Sequence, residues 1–222
     1  MAFDIFTESS HLHKLRVLAL SPHTDDYELG AGATIARLID SGAQVSVVVF
    51  STCNERVRAE WPDDILEHEC EAAASVLRVA DSGSLTIFKY PVDYFPEHRQ
   101  PILEYLVKLR DNFRPDFVFC PGTEDVHPDH EVIYNEAVRA FKKTTLLGYQ
   151  MPWNCVDKIQ NDVVIRVNEA QLDRKLAALS AYKSQAHRPY METELLWAWA
   201  RVTGCMVDAR FAETFECIRW AA

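Results

Sequence analysis

From Arg16 to about Gln150, apolar runs of strand length alternate with helical patterns. That alternation marks repeated βαβ units around a parallel sheet and places the chain in the α/β class. Residues 16–21 and 44–51 are largely continuous in apolar character, which predicts strands buried on both faces. Between them the pattern predicts a helix over about 30–40, closed at Ser41-Gly42, where glycine can take the left-handed conformation of a C-cap. A second helix is predicted over about 63–77, introduced by Pro62 and by two aspartates suited to the positive end of a helix dipole. Residues 85–88 follow as a third strand. Residues 100–113 read as a helix with Ile102, Leu103, Leu106 and Leu109 on one stripe, and 116–120 as the next strand after Pro115. Beyond His130, Val132, Ile133, Ala137, Val138 and Phe141 recur at helical spacing. The C-terminal third offers a strand over 163–167, helices over 169–184 and 192–202, and a last strand over 214–220. No linker, repeat or long charge block interrupts the chain, so 1–222 reads as one domain.

The 222 residues are 48% hydrophobic, 25% charged and 11% aromatic, the balance of a chain that buries a core, and this excludes disorder and collagen. With 23 Lys+Arg against 33 Asp+Glu the formal charge is −10, so the chain lacks a general footprint for nucleic acid. Small neutral or cationic partners fit that charge better. No apolar run approaches the ~18 residues of a membrane span. The N-terminus lacks the pattern of a secretory signal, so a cytoplasmic location is expected. Cys53, Cys70, Cys120, Cys155, Cys205 and Cys217 form no Cys-x-x-Cys pair and read mostly as small buried hydrophobes.

Ligands of an open parallel sheet bind outside the carboxyl ends of its strands. Two loops in that position carry chemistry: 21–30, with His23, Asp25 and Asp26, and 121–130, with His127, Asp129 and His130. Adjacent carboxylates in a partly dry crevice repel unless a cation neutralises them or one takes a proton. Imidazole with carboxylate suits zinc, and a catalytic zinc takes three protein ligands while leaving a place for water. His23, Asp26 and His130 supply that count. Asp25 is then placed to accept a proton from water and return it to a leaving amine. His127 would stabilise an oxyanion, with Asp129 orienting it or a ligand from behind. The reaction class is acyl hydrolysis. His11, His13, His68, His98 and His187 lack such company and read as solvent-facing or structural.

Other readings are weaker. Residues 30–35 follow a strand as a dinucleotide fingerprint would, but Ile35 fills the third glycine position and no acidic residue ends the second strand. Cys120 lies inside an apolar strand, where burial raises a thiol pKa and favours inert packing. Two-metal phosphoester hydrolysis lacks a surplus ligand cluster. An amidase acting on a non-sugar N-acyl compound, and a non-catalytic binding protein clipped by metal, remain open. Trp197, Trp199, Phe211, Phe215 and Trp220 suit a core or subunit interface better than a sugar pocket. Residues 90–96, with two prolines and three aromatics, suggest a semi-rigid loop near the pocket mouth.

Pro22-His23-Thr24-Asp25-Asp26-Tyr27-Glu28-Leu29-Gly30 and His127-Pro128-Asp129-His130 resemble the two motifs of the zinc-dependent LmbE-like (PIG-L) N-deacetylases. That family includes the N-acetylglucosaminyl-phosphatidylinositol de-N-acetylases and the deacetylases of the mycothiol and bacillithiol pathways. Weaker similarities around Glu69, Lys175, Tyr182 to Gln185, and Glu213 extend the resemblance over nearly the whole chain after about Leu15. It implies a Rossmann-like three-layer sandwich with a mostly parallel sheet, and removal of an N-acetyl group from an amino sugar or glycoconjugate. It implies zinc on His23, Asp26 and His130, with iron(II) able to occupy a similar set. It also implies Asp25 as base and acid, His127 at the oxyanion, and compatibility with a homo-oligomer. Thr24 replaces a commoner proline, Tyr27 a third acidic residue, and Leu66 an arginine that several relatives direct toward substrate. Arg56, Arg58 and Arg188 are the alternative cations.

Overall fold

The computed structural model describes residues 15–221, and in it the first strand, β1 (Arg16–Ser21), serves two cores at once. Val17 and Ala19 join one buried cluster while Leu18 and Leu20 join the other, which is why the run is apolar without alternation. Helix α1 (Asp26–Asp40) follows, then β2 (Gln44–Val49), α2 (Ile65–Leu77), the short α3 (Val79–Ser82) and β3 (Leu85–Ile87). The chain returns through α4 (Arg99–Phe113), β4 (Phe117–Pro121), α5 (Pro128–Ala140) and β5 (Thr145–Tyr149). It ends with β6 (Val163–Val167), α6 (Glu169–Leu179), α7 (Thr193–Cys205) and β7 (Phe211–Arg219).

The strands make one seven-stranded sheet in the order β3-β2-β1-β4-β5-β7-β6. The first five in that order pair in parallel, whereas β7 runs antiparallel to both β5 and β6. This is the expected mixed α/β, mostly parallel architecture. One core packs α1, α2, α6 and α7 on the first face, and the other packs α4 and α5 on the second. Strand order reverses between β1 and β4, so the crevice at their carboxyl ends is the topological switch point of the sheet.

Several boundaries differ from the sequence expectation. Helix α1 starts at Asp26 rather than Gly30, because Asp25 is its N-cap and the acidic Asp26 and Glu28 occupy its first turn, where the dipole favours negative charge. The helix expected to reach residue 184 stops at Leu179, and a 3-10 turn covers Lys183–Gln185. Strand β7 begins at Phe211 rather than at residue 214. Only Cys70 and Cys120 of the six free cysteines are buried, and Cys205 is exposed, which corrects the expectation for most of them. Phe211 and Phe215 lie in the core, while Trp197 and Trp220 keep much of their surface exposed. Gly42 takes the expected left-handed backbone at φ 87.

Two contacts fix α1 on the sheet. A Cβ at Gly30 would stand 2.4 Å from Cδ2 of Tyr149, so only glycine admits that ring, whose hydroxyl donates to the Leu20 carbonyl at 2.8 Å. On the other side Lys175 Nζ, buried in the first core, donates to the Leu29 carbonyl at 2.6 Å and to Glu213 Oε1 at 2.7 Å. Glu213 in turn accepts the Ala33 and Thr34 N–H groups at 3.2 and 2.7 Å. A buried ion pair survives when hydrogen bonds satisfy its remaining valences, as these do.

Candidate metal centre and active site

The loops after β1 and β4, with the first turns of α1 and α5 that they open, meet at the switch point, and three of their side chains converge on one spot. His23 Nδ1 and His130 Nε2 lie 3.3 Å apart, and Asp26 Oδ2 lies 3.2 Å from each of them. Four-coordinate zinc, with bonds of about 2.0–2.1 Å, sets its ligand atoms about 3.3 Å apart, so this donor set fits such an ion in both spacing and chemistry. All three side chains are buried. Asp26 is held well below the usual carboxylate range: burial opposes ionisation, but His130 and His23 beside it prevail.

The ring nitrogens that face away are fixed by carboxylates. His23 Nε2 meets Asp129 Oδ2 at 3.0 Å, and His130 Nδ1 meets Asp125 Oδ2 at 2.7 Å. Each bond puts the proton on the outer nitrogen of a neutral ring and turns the lone pair of the inner one toward the shared spot. Asp129 also accepts the Asp93 and Phe95 N–H groups at 2.7 and 3.2 Å, which ties the proline-flanked loop to the site. Asp129 therefore backs His23. Toward His127 it offers only its backbone, whose N–H donates to His127 Nδ1 at 3.2 Å.

His127 is the N-cap of α5, with Pro128 opening the helix, so the whole His-Pro-Asp-His motif sits at a helix start. Its ring centroid lies 4.8 Å from that of His23 and 4.9 Å from that of His130. Since Nδ1 accepts a hydrogen bond, the neutral ring carries its proton on Nε2, which lies 3.7 Å from Asp93 Oδ1. Burial and the two neighbouring histidines lower its pKa, so it is a neutral N–H donor at neutral pH. The three imidazoles thus lie together, but Asp26 has the closer approach to His23 and His130.

Asp25 is half-buried at the N-cap of α1 and makes no capping bond. Burial and the neighbouring Asp26 carboxylate push its carboxyl up to about 6. Under it, Glu28 is fully buried, accepts the Tyr182 hydroxyl at 3.0 Å, and is pushed up by desolvation. The same Tyr182 hydroxyl also lies within hydrogen-bond distance of the Thr24 carbonyl, so its one proton is shared between the two. A carboxyl is therefore present one residue beyond Tyr27.

A cleft of about 430 Å³ opens over these groups, lined also by Leu66, Val92, Asp93, Met151, Trp153 and Tyr190. Cys53 and Asp93, both in left-handed backbone at φ 52 and 69, line it too, and such conformations concentrate at functional sites. Arg56 and Arg188 reach the cleft, while Arg58 instead faces Glu60 at 3.9 Å. Trp197, Trp199, Phe211, Phe215 and Trp220 are not among the lining residues; Trp153 and Tyr190 are. His68 is exposed between Asp64 and Glu71, His98 packs on Tyr90, and His187 bonds the Ser184 carbonyl. His11 and His13 lie outside the described residues. No helix among the described residues is long and apolar enough to cross a membrane.

A family model, PIG-L: GlcNAc-PI de-N-acetylase, matches residues 18–141. The uncharacterized deacetylase YaiS of Escherichia coli K12 is 26% identical over 174 residues, spanning 76% of this chain and 90% of that protein. Among solved structures, N,N'-diacetylchitobiose deacetylase of Pyrococcus horikoshii superposes with a TM-score of 0.73 at 22% identity, covering 90% of this chain and 82% of its own. The 4-carboxy-2-hydroxymuconate hydratase GalB of Pseudomonas putida KT2440 gives 0.78 at 19% identity, covering 94% and 98%. At such identities these two structures speak for the fold alone, which hosts more than one chemistry.

Proposed function

Because the chain belongs to the GlcNAc-PI de-N-acetylase (PIG-L) family, we propose that it is a metal-dependent hydrolase of the cytoplasm. Its one domain, 1–222, removes an acetyl group from the nitrogen of an amino sugar or glycoconjugate. The observation that carries this is the triangle of His23 Nδ1, His130 Nε2 and Asp26 Oδ2, with edges of 3.2 to 3.3 Å, beside the half-buried carboxyl of Asp25. His23, Asp26 and His130 hold zinc, or iron(II) in its place.

A divalent ion so bound polarises a carbonyl and lowers the pKa of water toward neutrality. Asp25 takes the proton of the attacking water. His127 Nε2–H donates to the carbonyl oxygen as it gains negative charge. Asp25 then returns the proton to the departing nitrogen. The C–N bond breaks as the carbon keeps the oxygen of water, so acetate and a free amine leave. Asp129 and Asp125 hold the two imidazoles in the tautomer this needs.

The test is acetate release from a panel of N-acetylated sugars, with and without chelator. Release that stops on chelation and returns with zinc supports the reading. A fully metal-loaded protein that releases no acetate from any member rejects it.

A further inference from the structure

Two arginines line the cleft of a chain whose net charge is −10, and their charges are met differently. Arg56 is paired with Asp93. Arg188 has no carboxylate within 4.0 Å among the described residues. Its Nε donates to the neutral Oε1 of Gln185 at 3.1 Å, and its two terminal nitrogens have no described partner. Arg188 lines the same cleft as His23, Asp25, Asp26 and His130.

The side chain is also held in place. Buried Glu69 accepts the Ser184 N–H at 2.8 Å and the Ser184 hydroxyl at 2.6 Å. The Ser184 oxygen accepts Gln185 Nε2 at 3.1 Å, and the other end of that amide orients Arg188 Nε. On the far flank the Tyr190 ring lies 5.9 Å from the guanidinium carbon. That ring stacks on Trp153 with centroids 4.8 Å apart and planes at 11°. A guanidinium fixed at Nε, with its terminal nitrogens open to a cleft, has the geometry that receives a carboxylate or phosphate through paired hydrogen bonds.

We propose that the substrate carries an anionic group, a carboxylate or a phosphate, which Arg188 binds while the N-acyl group lies at His23, Asp26 and His130. This rests on the deacetylase reading and narrows its substrate class. It also revises the partner expected from net charge: the acidity of the whole chain favours neutral or cationic ligands, and one unpaired guanidinium reverses that inside the cleft.

The experiment compares kcat/KM of the zinc-loaded protein for N-acetylglucosamine, its 6-phosphate and N-acetylmuramic acid. The expected result is a preference of at least about tenfold for one of the two anions, expressed in KM, the effect of one or two charge-assisted hydrogen bonds. Whichever anion is preferred identifies phosphate or carboxylate. Arg188→Ala should abolish the preference and Arg188→Lys should retain part of it. No preference in the natural protein, or the same preference in Arg188→Ala, overturns the proposal, as does an equal loss on neutral and anionic compounds. If nothing is hydrolysed, the deacetylase reading falls and titration calorimetry with glucosamine 6-phosphate decides this inference separately. A Kd raised about tenfold or more in Arg188→Ala upholds it, and an unchanged Kd overturns it.

Discussion

Asp125 stands five residues before His130 and its Oδ2 lies 2.7 Å from that histidine's Nδ1. The same carboxylate accepts the His127 N–H at 3.0 Å and reaches Asn154 Nδ2 at 3.2 Å, so one side chain sets a ring and the backbone of the adjacent motif. Removing such a partner costs about 10–100-fold in metal affinity. Asp125→Ala is expected to weaken zinc by that factor while the far-UV circular dichroism stays unchanged; competition with a chromogenic chelator measures it. Undiminished affinity would show that Asp125 does not support the ligand.

Asp25→Asn keeps the size of the side chain and removes its ability to exchange a proton. It should retain one bound ion per chain and lose about 100-fold or more in kcat. His23→Ala and His130→Ala should lose the ion itself. Metal content by atomic emission, read beside turnover, separates the two behaviours, and full activity in Asp25→Asn would reject the assigned base.

Without metal, the two inner imidazoles hold protons. Burial opposes the charge, yet Asp26 and the carboxylates behind each ring raise His23 to about 9 and His130 to about 10. Zinc capture at pH 7 must therefore displace about two protons, and apparent affinity should climb with pH until it flattens above about 10. Calorimetry in buffers of unlike ionisation enthalpy counts them; a count near zero would mean neutral rings. Because both folded values exceed the ordinary histidine value of 6.5, the pair stabilises the metal-free fold fully below that pH. That contribution is lost as pH rises through about 9 to 10.

Chelation should end turnover and leave the fold standing. The two cores lie on the faces of the sheet, while the ligands sit at its carboxyl edge, His23 in a loop and Asp26 and His130 in the first turns of α1 and α5, so burial of most apolar surface does not depend on the ion. Thermal melts with EDTA are expected to show a lower but still cooperative transition. Loss of secondary structure at room temperature would instead mark the ion as a structural clip.

Gly30→Ala puts a methyl group 2.4 Å from Tyr149 Cδ2 in a wall of the core, and the ring cannot swing away without leaving the Leu20 carbonyl. Overpacking of this kind costs about 1–3 kcal/mol, a fall of about 2–12 °C in Tm for a chain of this size. An unchanged melting temperature would show that α1 and β5 can separate cheaply.

The elements best read from sequence are those whose pattern has a single cause. Residues 16–21 and 163–167 were expected as strands and form β1 and β6 with those bounds. The start of α1 differs from the expected Gly30 because Asp25 takes the N-cap position and Asp26 the first turn, and a residue with two roles hides one of them. The pairing of loops 21–30 and 121–130 was legible, since strands place both at one edge of a sheet. Asp125 lies in the same loop as His130, and a ligand histidine's need for a partner on its other nitrogen is the signal that points to such a carboxylate. The Glu69, Ser184 and Gln185 relay and the Trp153–Tyr190 stack join residues far apart in the chain, and no local periodicity encodes such contacts.

The segment that matches the family, 18–141, holds Asp25, His127 and all three residues of the donor triangle. Met151, Trp153, Asn154, Gln185, Arg188 and Tyr190, which complete the cleft, come from chain beyond it. On the proposed reading, the reacting groups come from the matched segment and part of the cleft wall comes from outside it. Substitutions at Met151, Trp153, Gln185, Arg188 or Tyr190 would reshape one wall of the cleft without changing a residue of the donor triangle.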